Sequence, residues 1–168
     1  MYIVNVVGDI DEKLQDSVYE QMKDWAENHS DEDIAINVNS IGGDIVIAQN
    51  INNLIYLAKE EKNANIVSYN TGDVMSAATV IYLAGDERIW DESKGQFLIH
   101  RPVIEDLSGN VEEVLDGAVV LNETEESLVE FYQSFNGKSM QEIFSRMCED
   151  KHMSTEEVID YKFATELV

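Results

Sequence analysis

The alternation of two hydrophobic periodicities constrains this chain more than any single residue does. Residues 2–7, "YIVNVV", are a short β-branched run that stops at Gly8-Asp9. Residues 10–28 then carry Leu14, Val18, Met22 and Trp25 at helical spacing. The pattern recurs. "DIAINVN" (33–39) alternates, with Ile34, Ile36 and Val38 on one face and Ala35, Asn37 and Asn39 on the other. After the turn "SIGGD", Ile47, Ile51, Leu54, Ile55 and Ala58 mark a second helix. "NIVSY" (65–69) reads as a third strand, followed by Gly72 and by a helix that begins near Ser76. This order predicts an α/β fold with a mostly parallel sheet. Parallel neighbours need a crossover, and a helix supplies it.

The rest of the chain continues in shorter pieces. "RIW" and "QFLIH" (96–100) predict two short strands on either side of the turn "DESKG". A long helix is predicted over 112–135, with Val114, Ala118, Leu121, Leu128, Tyr132 and Phe135 on one stripe and Asn136-Gly137 as its stop. A short helix covers 139–148, and Ser154-Thr155-Glu156-Glu157 is a capping box that starts the last one. No linker, repeat or low-complexity segment interrupts the chain, so one domain over 1–168 is expected.

Charge narrows the partners. The chain has 34 acidic residues against 11 basic ones, a formal net charge of −23. Nucleic acid and anionic membranes are repelled by such a surface. Copies of the chain also repel one another, so an oligomer must be held by apolar burial or by specific charge pairs. The single cysteine, Cys148, excludes an internal disulfide and suits a reducing cytoplasm. There is no apolar run of about 18 residues and no basic segment at the start, so neither a membrane span nor a signal peptide is expected.

In parallel α/β sheets, chemistry gathers beyond the carboxyl ends of the strands. Two glycine turns, "SIGGD" and "NTGDVMS", are placed there, each leading into a helix, and His100 ends another predicted strand. Ser76 is either a small residue that packs well at a helix start or a nucleophile. A nucleophilic serine needs a base, usually histidine, and the histidine needs an orienting carboxylate. Three histidines are present. His29 lies in the charged connection "ENHSDED", His152 follows Asp150 in "CEDKHMS", and His100 closes an apolar run. Donors for an oxyanion are available at Gly42-Gly43, just before a helix, and at the amide of Ala77. The glycines could equally serve only the tight turn. A metal site from Cys148, Asp150 and His152 has too few ligands for structural zinc, and Cys148 is expected to be a small buried residue near a helix end.

Four segments together resemble one family, the Clp peptidase subunit, ClpP. "NVNSIGGD" is similar to its Asn-Ser-Pro-Gly-Gly turn, and "GDVMSAAT" to its Gly-x-x-x-Ser-x-x-Ala nucleophile segment. "FLIHRP" is similar to its Met-Ile-His-x-Pro segment. "EDKHMSTEEVIDYKFATEL" resembles its Arg-Asp-x-x-x-(Ser/Thr) stretch and the helix after it. The resemblance runs from about Val4 to Leu167. It implies Ser76 as nucleophile, His100 as general base, Asp150 as the orienting carboxylate, and Gly43 and Ala77 as oxyanion-hole amides. It also implies a ClpP/crotonase-like fold with a protruding handle over about 105–137, built from a strand, Leu107–Val111, and the long helix. Peptide substrate would lie as an added strand there, with Gly42, Leu107, Gly109, Asn110 and Val111 as the substrate-binding positions. The family assembles seven-membered rings that stack in pairs, and Lys151 matches a basic residue that helps join them.

Departures from the family pattern shape the reading. Ile41 replaces the proline of the glycine turn. The chain begins almost at its first strand, without the family's pore-loop segment, and stops at Val168 without a tail. Ala35 and Asn37 stand where the family has aromatic residues that take up loops of an unfoldase, which argues against docking of a Clp-type ATPase. Short ClpP-like peptidases of this kind resemble those coded by tailed phages, which act in head maturation or alone. The implied function is an ATP-independent core serine endopeptidase for unfolded protein or peptide, cytoplasmic, in a homo-oligomeric heptameric ring or tetradecamer, with no cofactor and no metal. The alternative is a non-catalytic or partner-activated ring subunit. An acyl-CoA enzyme on the same fold would need positive charge for the CoA phosphates, which this composition does not offer.

Overall fold

The computed structural model describes residues 1–168. The chain forms two compact units, one of residues 1–98 with 152–168 and the other of residues 99–151. No helix is long and apolar enough to cross a membrane.

The first unit is built on a parallel sheet. Strands β1 (Tyr2–Val7), β2 (Ile34–Ser40), β3 (Ile66–Met75), β4 (Glu87–Trp90) and β6 (Glu166–Leu167) lie in the order β1-β2-β3-β4-β6, and β5 (Phe97–Leu98) also pairs with β3. Every strand pair is parallel. The registers Tyr2↔Ile34 and Ile34↔Ile66 set Val4, Ile36 and Ser68 in one row, and all three are fully buried.

Helices supply the crossovers. In α1 (Glu12–Asn28) the Asp11 carboxylate accepts from the Leu14 amide, and Leu14, Val18, Met22 and Trp25 are buried as their spacing required. In α2 (Ile45–Lys62) the Asp44 side chain accepts from the amides of Val46 and Ile47, and Ile47, Ala48, Ile51 and Ile55 are buried. Leu54 and Ala58, expected on the same stripe, are half-buried. The helix after Ser76, α3 (Ala78–Tyr82), is short and buried throughout. Tyr82, Trp90 and Phe97 meet edge to face, and Phe97 stacks on Phe163 with ring centres 5.5 Å apart. This cluster backs α3 and β5. α6 (Thr155–Asp160) opens on the expected capping box, Ser154 with Glu157.

The second glycine segment does not form the expected turn. "NTGDVM" continues β3 as far as Met75, with a register irregularity opposite Val38 and Ser40. The Asn39 side chain occupies the space a Cβ on Gly72 would need, and its Oδ1 accepts from the Asp73 amide at 3.2 Å. Glycine there admits a neighbouring side chain and marks a bulge rather than a turn. The strand therefore runs up to the serine.

The second unit contains α4 (Val111–Asn136) and α5 (Met140–Glu149). Both open on full capping boxes, Asn110 with Glu113 and Ser139 with Glu142. α4 stops at Gly137 in the left-handed region. In α4 the expected apolar stripe is buried at Leu128 and Tyr132 and half-buried at Leu121 and Phe135, whereas Val114 and Ala118 are exposed. Leu107–Asn110 form no strand, and Val111 is already the first residue of α4. The expected handle strand has no hydrogen-bonding neighbour in the chain, and a strand without a partner is not formed.

Candidate active site

Ser76 occupies the junction between β3 and α3 with φ 53°, a conformation uncommon for a residue with a side chain. Its backbone is held on both sides. The Ser76 amide donates to the Leu98 carbonyl of β5 at 2.9 Å. The Ser76 carbonyl accepts from the Thr79 amide at 3.0 Å and the Thr79 hydroxyl at 2.6 Å. A sharp strand-to-helix turn of this kind lifts a serine hydroxyl out of the sheet, and such strained positions cluster at reactive sites.

The glycine turn packs directly against this serine. A Cβ on Gly42 would lie 2.7 Å from Ser76 Cβ and 3.2 Å from Ser76 Oγ, and Gly42 has φ +112°. Only glycine fits both the contact and the backbone. The Gly42 amide donates to Ser40 Oγ, and its carbonyl accepts from the Ile10 amide at 2.9 Å. The Asp44 amide donates to the Ile10 carbonyl at 2.8 Å. The Gly43 amide between them has no acceptor, and neither has the Ala77 amide at the start of α3. Both expected oxyanion donors are thus unengaged N–H groups at helix starts.

In the second unit, His100 Nδ1 lies 3.3 Å from Asp150 Oδ1. The imidazole side chain is 25% exposed and the carboxylate 70%. Asp150 ends α5 in the left-handed region, φ 49° and ψ 46°, so its backbone turns away from the helix axis at that residue. A carboxylate at Nδ1 fixes the tautomer that leaves Nε2 as the acceptor of a proton.

A family model described as Clp protease matches residues 1–168. The chain belongs to the Clp protease family. It is 28% identical over 166 residues to the ATP-dependent Clp protease proteolytic subunit 3 of Rhizobium etli, covering 97% of this chain and 81% of that one. Its fold is similar to that of a ClpP1 mutant from Listeria monocytogenes, with a TM-score of 0.84 and 24% identity over 99% of this chain and 91% of that one. Membership in the Clp protease family makes the chain a serine peptidase.

Other expected residues of this Clp-family chain have clear local roles. Asn110 caps α4, Gly109 lies against the Glu113 carboxylate, and Leu107 packs on Gly117 of the same helix. Val111 is 76% exposed. His29 pairs with Glu32 at 2.9 Å, and His152 is exposed. Cys148 is exposed, not buried. On α5 the buried positions are Ile143, Arg146 and Met147, and Cys148 falls on the opposite side.

Arg101, beside His100, was not singled out by its sequence context. Its Nε donates to Glu125 Oε2 at 2.5 Å, and its guanidinium carbon is 5.4 Å from the centre of the Phe144 ring. The Glu125 carboxylate raises the Arg101 pKa. The segment that carries the histidine is thereby tied to α4 and α5. A basic residue next to a candidate base, in a chain with only 11 cations, was the available signal.

Proposed function

We propose that Ser76, His100 and Asp150 form the catalytic triad of this Clp-family peptidase, with the Gly43 and Ala77 amides as its oxyanion hole. The observation that carries the reading is the left-handed conformation of Ser76 at the end of β3, followed by the unengaged Ala77 amide and packed against Gly42 of the turn that carries the unengaged Gly43 amide. The His100–Asp150 pair supports it. In the proposed reaction Ser76 Oγ attacks the peptide carbonyl while His100 Nε2 takes its proton. Asp150 holds Nδ1–H and stabilises the imidazolium. The amine leaves with the proton from His100, and water activated by the same imidazole releases the acyl group from Ser76. The substrate is an extended segment of unfolded protein or peptide, bound near Gly42 and along 107–111.

The same reading includes a homo-oligomeric ring. Support comes from α4, where Val111, Leu115, Val119 and Val120 are 55–76% exposed, an apolar surface that a solvated helix rarely keeps. Lys151, exposed beside Asp150, is a candidate for a charge pair between copies. A second reading, in which assembly completes the triad, is favoured by the 70% exposure of the Asp150 carboxylate in the single chain.

Fluorophosphonate labelling followed by intact mass decides the matter. One adduct per chain on wild type and none on Ser76→Ala supports an activated serine. No adduct on assembled wild type would mean that Ser76 is not activated, and the triad reading fails. An adduct only above the assembly concentration selects the partner-activated form.

A further inference from the structure

Arg146 is the one charged residue of the second unit that is buried, with 3% of its surface exposed. It stands on the inward face of α5 between Ile143 and Met147, where an apolar side chain would pack at no desolvation cost. Its two terminal nitrogens reach past the end of the helix. Nη2 donates to the Lys151 carbonyl at 3.0 Å, and Nη1 lies 3.5 Å from Glu149 Oε2. These partners are the residues immediately before and after Asp150. Asp150 itself turns the chain in the left-handed region, a role usually given to glycine. Glu149 is half-exposed, so that ion pair alone explains little. The hydrogen bond to the Lys151 carbonyl is the stronger hold, because it fixes the peptide that follows Asp150.

We propose that Arg146 is a positioning residue for the reaction. By clamping the chain at 149 and 151 from within the unit, it holds Asp150 in the backbone conformation that presents Oδ1 to His100 Nδ1. It touches neither substrate nor reacting atoms. The proposal rests on the reading of Asp150 as the orienting carboxylate. An arginine suits the position because its planar guanidinium donates to the Lys151 carbonyl in a fixed geometry that a flexible ammonium does not hold.

The experiment compares Arg146→Met, Arg146→Lys and Asp150→Asn in the assembled full-length protein. It reads kcat and KM on a fluorogenic peptide and the downfield proton resonance of His100 Nδ1–H. Arg146→Met keeps the packing volume and removes a buried charge, so it is expected to fold. The expected result is a fall in kcat of about 10- to 100-fold with KM within twofold, together with loss of the downfield resonance. Arg146→Lys is expected to fall between wild type and Arg146→Met in kcat. A folded Arg146→Met with wild-type kcat, or with lowered kcat and an unchanged resonance, overturns the proposal. If Arg146→Met does not fold, Arg146→Lys decides, and a kcat within twofold of wild type overturns it. Asp150→Asn separates the two ideas. If that variant keeps wild-type kcat, the triad reading itself fails. If it loses activity while the Arg146 variants do not, only the positioning role is wrong.

Discussion

Gly42 and Ser76 touch without intermediary: a single added carbon on Gly42 would sit 2.7 Å from Ser76 Cβ. The contact couples the turn that carries the Gly43 amide to the serine whose own following amide is Ala77. Any shift of one changes the distance to the other, and in the proposed oxyanion hole both amides must aim at one oxygen.

Gly42→Ala is therefore expected to lower activity as well as stability. The new methyl group must displace Ser76 or the turn, and the φ of +112° adds backbone strain. Misplacement by about 1 Å can cost about 100-fold in rate, whereas strain of this kind costs about 1–3 kcal/mol. Peptidase assays and urea unfolding on the same preparation check it. A variant with wild-type kcat and reduced stability would show that the contact is only packing.

Local patterns in the sequence already carried most of the first unit. Leu14, Val18, Met22 and Trp25 could be read as one buried face because spacing alone determines which residues of a helix share a side. The glycine at 72 could not be read that way. It looked like a turn, but the Asn39 side chain from the neighbouring strand lies against it, a contact made across the sheet. The segment 107–110 is not a paired strand within the single chain, since pairing depends on a neighbour and not on composition. Ser76 and the two amides were candidates through motif order alone. Arg146 was not, because nothing in "FSRMCED" tells which side of the helix faces inward until the helix is packed.

Asp150→Asn tests the dyad directly. The 3.3 Å separation from His100 Nδ1 is within reach of a charge-assisted interaction, and an amide in its place can present the wrong group to the ring. Loss of the orienting carboxylate in serine hydrolases costs on the order of 10⁴-fold in kcat. A fall of about 10³- to 10⁴-fold with little change in KM is expected, measured by peptide hydrolysis at saturating substrate. A loss below tenfold removes Asp150 from the mechanism.

Arg88 provides a test of the frame without touching the site. Its guanidinium donates to the carbonyls of Gly85, Phe163 and Lys162 at 2.8–3.1 Å, and burial lowers its pKa. It anchors the segment that enters β6. Arg88→Met leaves these carbonyls without their donor, at a cost of about 1–3 kcal/mol. Urea unfolding should show that loss, and amide exchange should quicken more from Thr165 to Leu167 than in β1 and β2. Uniform acceleration would mean that the whole first unit, and not the final strand, depends on Arg88.

Assembly should respond to salt in the sense opposite to an ordinary ion-paired complex. Each copy carries a formal net charge of −23, and the exposed side chains of Val111, Leu115, Val119 and Val120 offer apolar rather than charged contact. At about 0.01 M ionic strength the screening length is about 30 Å, so whole subunits repel, and at about 0.15 M it falls to about 8 Å. Apolar burial is not weakened by that change. Sedimentation velocity should accordingly show larger species as salt rises, at constant protein concentration. Leu115→Asp, at a position 61% exposed, adds charge to the same surface without disturbing a packed core. It is expected to leave the melting curve of the single chain nearly unchanged and to shift the assembly equilibrium toward small species at every salt concentration. Peptidase activity that falls in step with the loss of large species would tie the working site to assembly. Activity retained in the dissociated variant would assign the whole reaction to a single chain.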